Sequence, residues 1–298
     1  MNEYDFLLKD RIQKVQTMNE YDFLLKAYIS FSGGKDSTVV HHLIDMALPN
    51  NQIPRVYFNT GIEYKAVTEY VKKLAEKDKR IVIVNSGVNI KETLEKYGYP
   101  FKSKEHSLYV SVYQNSGETK TVKRYLNRED SRYCCPPKLR YQFTPEFDIK
   151  ISNKCCYKLK KEPAEKWAKE NNKTITITGM RKAEGGLRGT LQGCAVFTDD
   201  KCKVLKKFHP LFPVEDWWLD EFIKQNGIEL CELYYPPYNF KRTGCKGCSY
   251  AIDLQEQLDI MSLYLPAERK QCEAIWKPIY EEYRRIGYRL NNTPTLFD

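Results

Sequence analysis

Long apolar runs are absent from this sequence. No stretch approaches the roughly 20 consecutive apolar residues that a bilayer-spanning helix needs, and the mean hydropathy is −0.61, so an integral membrane protein is not expected. Glycine and proline are sparse, 15 and 14 of 298 residues, which excludes fibrous and low-complexity classes. With 42% hydrophobic residues, most of the chain is expected to be ordered. Ten cysteines fall well short of a secreted disulfide scaffold. A chain of this length buries about three quarters of its unfolded surface and needs no such staples. The opening MNEYDFLLKDR is charged where a secretory signal carries an apolar centre, so a cytoplasmic protein is expected. Charge of one sign is in mild excess, 48 basic against 39 acidic residues or +9. That balance suits a polyanionic partner, such as a nucleotide or nucleic acid, or else a solvated basic surface.

Organisation is read from periodicity. MNEYDFLLK occurs at Met1 to Lys9 and again, letter for letter, at Met18 to Lys26. One repetition makes no solenoid, and apolar residues at helical spacing predict a helical arm over 1–26. The runs AYISF (27–31), RVYFN (55–59), IVIVN (81–85) and TITIT (174–178) then alternate with amphipathic stretches. Such alternation predicts an α/β fold, a parallel sheet sandwiched by helices, with ligands bound beyond the carboxyl ends of the strands. The pattern lapses over 98–155, read as an insertion or lid in a nucleotide-binding domain of residues 27–193. Residues 194–298 are expected to form a C-terminal module, with a hairpin turning at Asp199 and Asp200 and then helices. Two stripes, Ala251, Leu254, Leu258, Met261, Leu265 and Cys272, Ile275, Trp276, Ile279, Tyr283, are most simply core faces, as are Trp217, Trp218 and Phe222.

The densest chemical signal is Ser32-Gly33-Gly34-Lys35-Asp36-Ser37-Thr38, between the first expected strand and the first expected helix of the sheet domain. Two glycines let backbone approach a ligand, and the helix N-terminus with two serine hydroxyls makes an anion cradle. Phosphate binding is expected. The spacing is not that of a Walker A loop. Thr60, Gly61, Gly179 and Arg181 also lie just past expected strands, and Arg181 and Arg188 suit bidentate contact with phosphate or sulfate. Lys35 suits neutralisation of a departing pyrophosphate.

SGGKDS after a first strand resembles the PP-loop of the ATP pyrophosphatases, and the chain from about 27 to 250 resembles the phosphoadenosine phosphosulfate (PAPS) reductase branch of that superfamily. Phe58-Asn59-Thr60-Gly61-Ile62-Glu63 is similar to the family's Asp-Thr-Gly element, with Asn59 where Asp is usual. Ile177-Thr178-Gly179-Met180-Arg181, with Glu184 and Arg188, resembles its Thr-Gly-x-Arg segment. Pro210-Leu211 before an aromatic-rich helix also fits, although Val214 stands where Trp is common. The resemblance implies an adenine nucleotide α-hydrolase-like fold and an adenine nucleotide ligand. It makes Lys35, Asp36 and Arg181 the catalytic candidates, and Ser32, Gly33, Gly34, Ser37, Thr38, Thr60, Gly61, Gly179 and Arg188 further nucleotide-binding ones.

Cysteines supply the second signal. Cys245-Lys246-Gly247-Cys248 is a Cys-x-x-Cys knuckle, and two adjacent pairs lie upstream, Cys134-Cys135 and Cys155-Cys156. Adjacent cysteines rarely bond to each other, so metal ligation or redox chemistry is indicated: a [4Fe-4S] cluster, a tetrahedral zinc, or unliganded thiols. Cys155-Cys156 before a basic stretch resembles the double cysteine of adenosine phosphosulfate (APS) reductases. That likeness implies a [4Fe-4S] cluster on Cys155, Cys156, Cys245 and Cys248, ahead of zinc, with Cys134-Cys135 the rival pair.

The intact SGGKDS resembles family members that bind ATP with Mg²⁺ and split it to AMP and pyrophosphate. The sequence ends RLNNTPTLFD, without the Glu-Cys-Gly-[Leu/Ile]-His tail of the sulfonucleotide reductases. The resemblance therefore implies an enzyme that adenylates an acceptor in sulfur transfer, of thiolation or phosphorothioation type, served by a sulfur-donor protein. Lys158, Lys160, Lys161, Lys206 and Lys207 suit a nucleic-acid acceptor. The alternatives are a PAPS or APS reductase using another cysteine such as Cys272, and a nucleotide- or nucleic-acid-binding subunit without turnover.

Overall fold

The computed structural model describes residues 2–127, 134–185, 189–198 and 204–291. In chain order it contains α1 (Glu3–Met18), α2 (Phe23–Lys26), β1 (Ala27–Ser30), α3 (Lys35–Ala47), β2 (Arg55–Asn59), α4 (Lys65–Lys77), β3 (Ile81–Asn85), α5 (Ile90–Tyr97), α6 (Lys104–Ser116) and α7 (Lys120–Asn127). Then come α8 (Glu162–Glu170), β4 (Ile175–Ile177), β5 (Ala195–Phe197), β6 (Leu205–Phe208), α9 (Asp216–Gln225), α10 (Leu254–Tyr264) and α11 (Pro266–Arg285). Among the described residues, no helix is long and apolar enough to cross a membrane.

The chain divides into two compact units. Met1–Asn59, Lys65–Asn85 and Pro163–Thr243 make the first; Thr60–Tyr64, Ser86–Glu162 and Gly244–Asp298 make the second.

The first unit holds one sheet in the order β3-β2-β1-β4-β6-β5, parallel throughout except for β5 against β6. β-Branched and aromatic residues favour these strands, and β1 and β2 are buried almost end to end, as a sheet covered on both faces requires. One face packs against α1, α3 and α9 through Val15, Val39, Leu43, Ile177, Trp218 and Phe222. On the other, Tyr28 and Phe58 meet Trp167 of α8. The strand order reverses between β1 and β4, the crevice where open α/β sheets bind ligands.

Three expectations need correction here. The hairpin and α9 belong to the sheet unit, not to a C-terminal module, because β6 pairs with β4 in parallel, Thr176 opposite Lys207. Conversely, the 98–155 insertion shares a unit with the closing helices. Trp218 and Phe222 are core residues, but Trp217 is 42% exposed, since a helix that buries position 218 turns 217 away. The turn residues Asp199 and Asp200 lie outside the described residues.

In the second unit, α10 and α11 bury Leu254, Leu258, Met261, Cys272, Trp276, Ile279 and Tyr283 of the two stripes read from spacing, while Ala251, Leu265 and Ile275 of the same stripes are only half-buried. α6 begins at Ser103, whose hydroxyl accepts the His106 N–H at 3.1 Å as an N-cap.

Candidate active site

In the first unit the loop after β1 turns tightly into α3. Gly33 has φ +70°, and a β-carbon there would come within 2.7 Å of Val71 Cγ2 on α4, so any other residue would be strained and would crowd that side chain. Ser32 and Ser37 share a hydroxyl–hydroxyl bond of 3.0 Å, and the Ser32 hydroxyl accepts Gly34 N–H at 3.3 Å. Ser37 Oγ and Thr38 Oγ1 donate to Gly34 O at 2.9 and 3.0 Å. These four hydroxyl contacts fix the loop backbone at the helix N-terminus, where the dipole favours an anion. Lys35 Nζ lies 3.0 Å from Asp220 Oδ1 on α9, so its ammonium is held at the rim by an exposed carboxylate.

The loop after β4 reaches the same place. A β-carbon on Gly179 would stand 2.8 Å from Asp36 Cβ and 2.9 Å from its backbone, so this glycine permits the approach. Arg181, 4% exposed, donates through Nε to Asp36 Oδ1 and through Nη2 to Asp216 Oδ1, both at 2.6 Å. Burial works against the guanidinium charge, but the Asp36 and Asp216 carboxylates more than offset it and raise the arginine above its ordinary value. The bond from Arg181 holds Asp216 below the usual carboxylate range. Arg181, expected from sequence to meet the nucleotide, is here a brace between β4's loop and the start of α3. His209, after β6, supports the same loop through Thr178 Oγ1 at 2.8 Å. Arg188 lies outside the described residues.

Thr60 and Gly61 follow β2 and belong to the second unit. The Glu63 carboxylate accepts Thr60 N–H at 3.0 Å and the Thr60 hydroxyl at 2.8 Å, and lies 3.8 Å from Lys160 Nζ. Lys160 in turn bonds the Cys245 sulfur, and that sulfur and the Glu63 carboxylate raise the lysine, while burial pushes the Cys245 thiol up. In the same place Cys155 and Cys156 sulfurs are 4.0 Å apart. Cys156, Cys248 and Cys245 all act electrostatically on Cys155, so the two cysteine pairs lie in one neighbourhood although 89 residues of sequence separate Cys156 from Cys245. The bond from Cys155 pulls Cys156 down to about 6, making it the readiest thiolate of the set, while burial pushes Cys248 up to about 12. Cys135 has other neighbours, Lys102, Arg140 and Cys134, and burial pushes it up to about 11.

The knuckle is braced from α11. Trp276 Nε1 donates to Lys246 O at 3.1 Å, Tyr280 donates to Gly247 O, and Tyr283 donates to Ser249 O at 2.9 Å. Lys246 N–H also bonds Ile62 O at 2.9 Å, tying the knuckle to the Thr60–Tyr64 segment. Spacing had marked Trp276 and Tyr283 as core residues only; their polar ends hold the cysteine loop.

Four thiols with an adjacent ammonium are a donor set suited to an anionic metal cluster. A tetrahedral zinc with Zn–S of about 2.3 Å would draw its sulfurs close together. Among the described residues, the ligand atoms that crowd within 4.8 Å of one another in a set of three are those of His41, Asp45 and Asp78, not these sulfurs. The His41 group is itself committed: Asp45 is 2.5 Å from Arg55 Nη2 and 2.7 Å from Arg80 Nη1, and Asp78 is 2.8 Å from Arg80 Nη2.

The family model described as the phosphoadenosine phosphosulfate reductase domain matches residues 26–133 and 138–251. The chain belongs to the PAPS reductase family. The family match takes in the PP-loop, the Thr60 and Arg181 segments, Cys155-Cys156 and the knuckle, and leaves out Cys134-Cys135. An uncharacterised protein of Methanocaldococcus jannaschii is 27% identical over 258 residues, 85% of this chain. This chain spans about half, 48%, of that protein's length. Among solved structures, a PAPS reductase from Candida auris gives a TM-score of 0.45 at 16% identity, over 82% of this chain and 96% of that one. A U34-tRNA thiolase, NcsA, from Methanococcus maripaludis with its [4Fe-4S] cluster gives 0.42 at 14% identity, over 99% and 84%. An NH3-dependent NAD synthetase from Campylobacter jejuni gives 0.43 at 13%, over the whole of both chains. At these scores the likeness extends only to chain course.

Proposed function

We propose that this PAPS reductase family protein binds ATP as its Mg²⁺ complex in the PP-loop and cleaves it to AMP and pyrophosphate, adenylating an acceptor for sulfur transfer. The observation that carries the reading is the juxtaposition of an intact SGGKDS loop with Gly179 and Arg181 at the β1/β4 switch point. An acceptor oxygen attacks the α-phosphorus, the bond from that phosphorus to the α–β bridging oxygen breaks, and pyrophosphate leaves. A sulfur nucleophile then displaces AMP. The first-unit residues act by positioning and charge: the loop N–H groups and hydroxyls seat the phosphates, and Lys35, released from Asp220, neutralises the departing pyrophosphate. Arg181 keeps Asp36 and the loop in register. Cys155, Cys156, Cys245 and Cys248 would hold a [4Fe-4S] cluster, which supplies a site for sulfur or electrons. Gly61 and Thr60 would contact the nucleotide from the β2 end. Of the lysines expected to face a nucleic-acid acceptor, Lys160 is engaged by Glu63 and Cys245; Lys158, Lys161, Lys206 and Lys207 suit such an acceptor, whose binding would fall steeply with salt.

A reductase using Cys272 is disfavoured, because that thiol has 0% exposure and burial pushes it up to about 12. Competition binding tests the choice: the protein should bind ATP in preference to PAPS, and tight PAPS binding without ATP binding would restore the reductase reading.

A further inference from the structure

One polar contact of the loop is not used by the phosphate chemistry above. Tyr234, 199 residues from Lys35 in sequence, accepts the Lys35 N–H through its hydroxyl at 3.0 Å, in the first turn of α3. The same hydroxyl bonds Thr243 Oγ1 at 2.8 Å. It stands 3.3 Å from where a Gly34 β-carbon would lie, so a side chain at position 34 would crowd it. The ring packs on the main core of the sheet unit, and this together with Thr243 fixes the position of the oxygen.

An oxygen that accepts an N–H in the first turn of a helix sits where an anion's oxygen binds. A carboxylate there would repel phosphate, and an aliphatic side chain would offer it nothing. A hydroxyl can accept the N–H while no anion is present and donate to the anion when it arrives. Either partner of the Tyr234–Thr243 bond can be the donor. When Thr243 donates to the Tyr234 oxygen, the tyrosine proton is free to turn toward a phosphate.

Resting on the nucleotide reading, we propose that Tyr234 is a phosphate-binding residue of this site, donating its hydroxyl proton to the phosphate oxygen that takes over the Lys35 N–H, with Thr243 orienting that proton. Burial pushes the phenol above its ordinary value, so it remains a protonated donor at neutral pH.

The test is calorimetric binding of ATP and of adenosine to the full chain and to Tyr234→Phe and Thr243→Val, with melting curves as the check on folding. Tyr234→Phe should weaken ATP by about ten-fold or more, the range of a hydrogen bond to a charged group, and leave adenosine affinity unchanged. Thr243→Val should weaken ATP less, in the same direction, and carries the test alone if Tyr234→Phe fails to fold. Equal ATP affinity in the wild type and the folded variants overturns the proposal while the nucleotide reading stands. Tighter ATP binding by Tyr234→Phe also overturns it, because the hydroxyl would then be a competitor. A wild-type chain with no affinity for ATP overturns the nucleotide reading itself, and this proposal with it.

Discussion

Arg181 Nε meets Asp36 Oδ1 at 2.6 Å across 145 residues of sequence. The bond ties the loop after β4 to the first turn of α3, and the second bond of the same guanidinium, to Asp216, extends the brace to α9. Its partners differ in exposure: the Arg181 side chain is 5% exposed, that of Asp36 35% and that of Asp216 76%.

Those exposures set the cost of breaking each bond. Arg181→Met strips Asp36 of its buried partner and should cost about 3 kcal/mol. Asp216→Asn removes a mostly solvated carboxylate and should cost less than about 1 kcal/mol. Urea denaturation of the two variants measures the difference, and equal costs would contradict the brace.

Acid should destabilise the fold through its buried histidines. His106 is held between Tyr125 and Gln142 at 2.9 and 2.7 Å, and burial pushes both His106 and His209 down to about 4. Above the ordinary histidine value of about 6.5, both are neutral whether folded or unfolded, and stability is flat with respect to them. As pH falls from there toward 4, the unfolded chain binds protons that the folded chain refuses, so stability is lost, on the order of 3 kcal/mol for each histidine over the whole window. Urea midpoints at pH 7.5, 6 and 5 should fall in that order, and His106→Gln should flatten the slope. A slope unchanged by His106→Gln would show that this residue does not titrate as described.

The cysteine quartet makes a selective prediction. Cys155→Ser, Cys156→Ser, Cys245→Ser and Cys248→Ser should each remove most of the iron from anaerobically purified protein and lower its melting temperature, since metal binding contributes to folding. Cys134→Ser and Cys135→Ser should keep the iron. Loss of iron from the second set alone would mean that the wrong pair had been assigned.

Local pattern was enough for the strands and the loop, because β-branched runs, glycines and helix periodicity act over a few residues. It was not enough for the repeated MNEYDFLLK. In the first copy Tyr4 is buried, 5% exposed and stacked on Trp218, and Phe6 is 59% exposed. In the second Tyr21 is 41% exposed and Phe23 fully buried against Phe208. In the first copy the letters from Glu3 to Lys9 form continuous helix. In the second they break at Asp22, with φ 57°, because the chain must enter β1 at Ala27, where Lys26 O accepts Thr174 N–H. Tertiary pairing there outweighs propensity. Asp216, Asp220 and Tyr234 were equally hidden, since each reaches the site from an element distant in sequence and carries no motif. The meeting of Cys155-Cys156 with the knuckle was suggested by family resemblance; spacing alone left the two upstream pairs equivalent.

The central claim is that the PP-loop cleaves ATP between its α- and β-phosphates. The direct measurement is incubation of the anaerobically purified protein with ATP and Mg²⁺, followed by separation of the nucleotide and phosphate products, beside Lys35→Ala as control. The account predicts AMP and pyrophosphate in equal amounts from the wild type and little of either from Lys35→Ala. ADP and inorganic phosphate as the products, or AMP formation unaffected by Lys35→Ala, would contradict it.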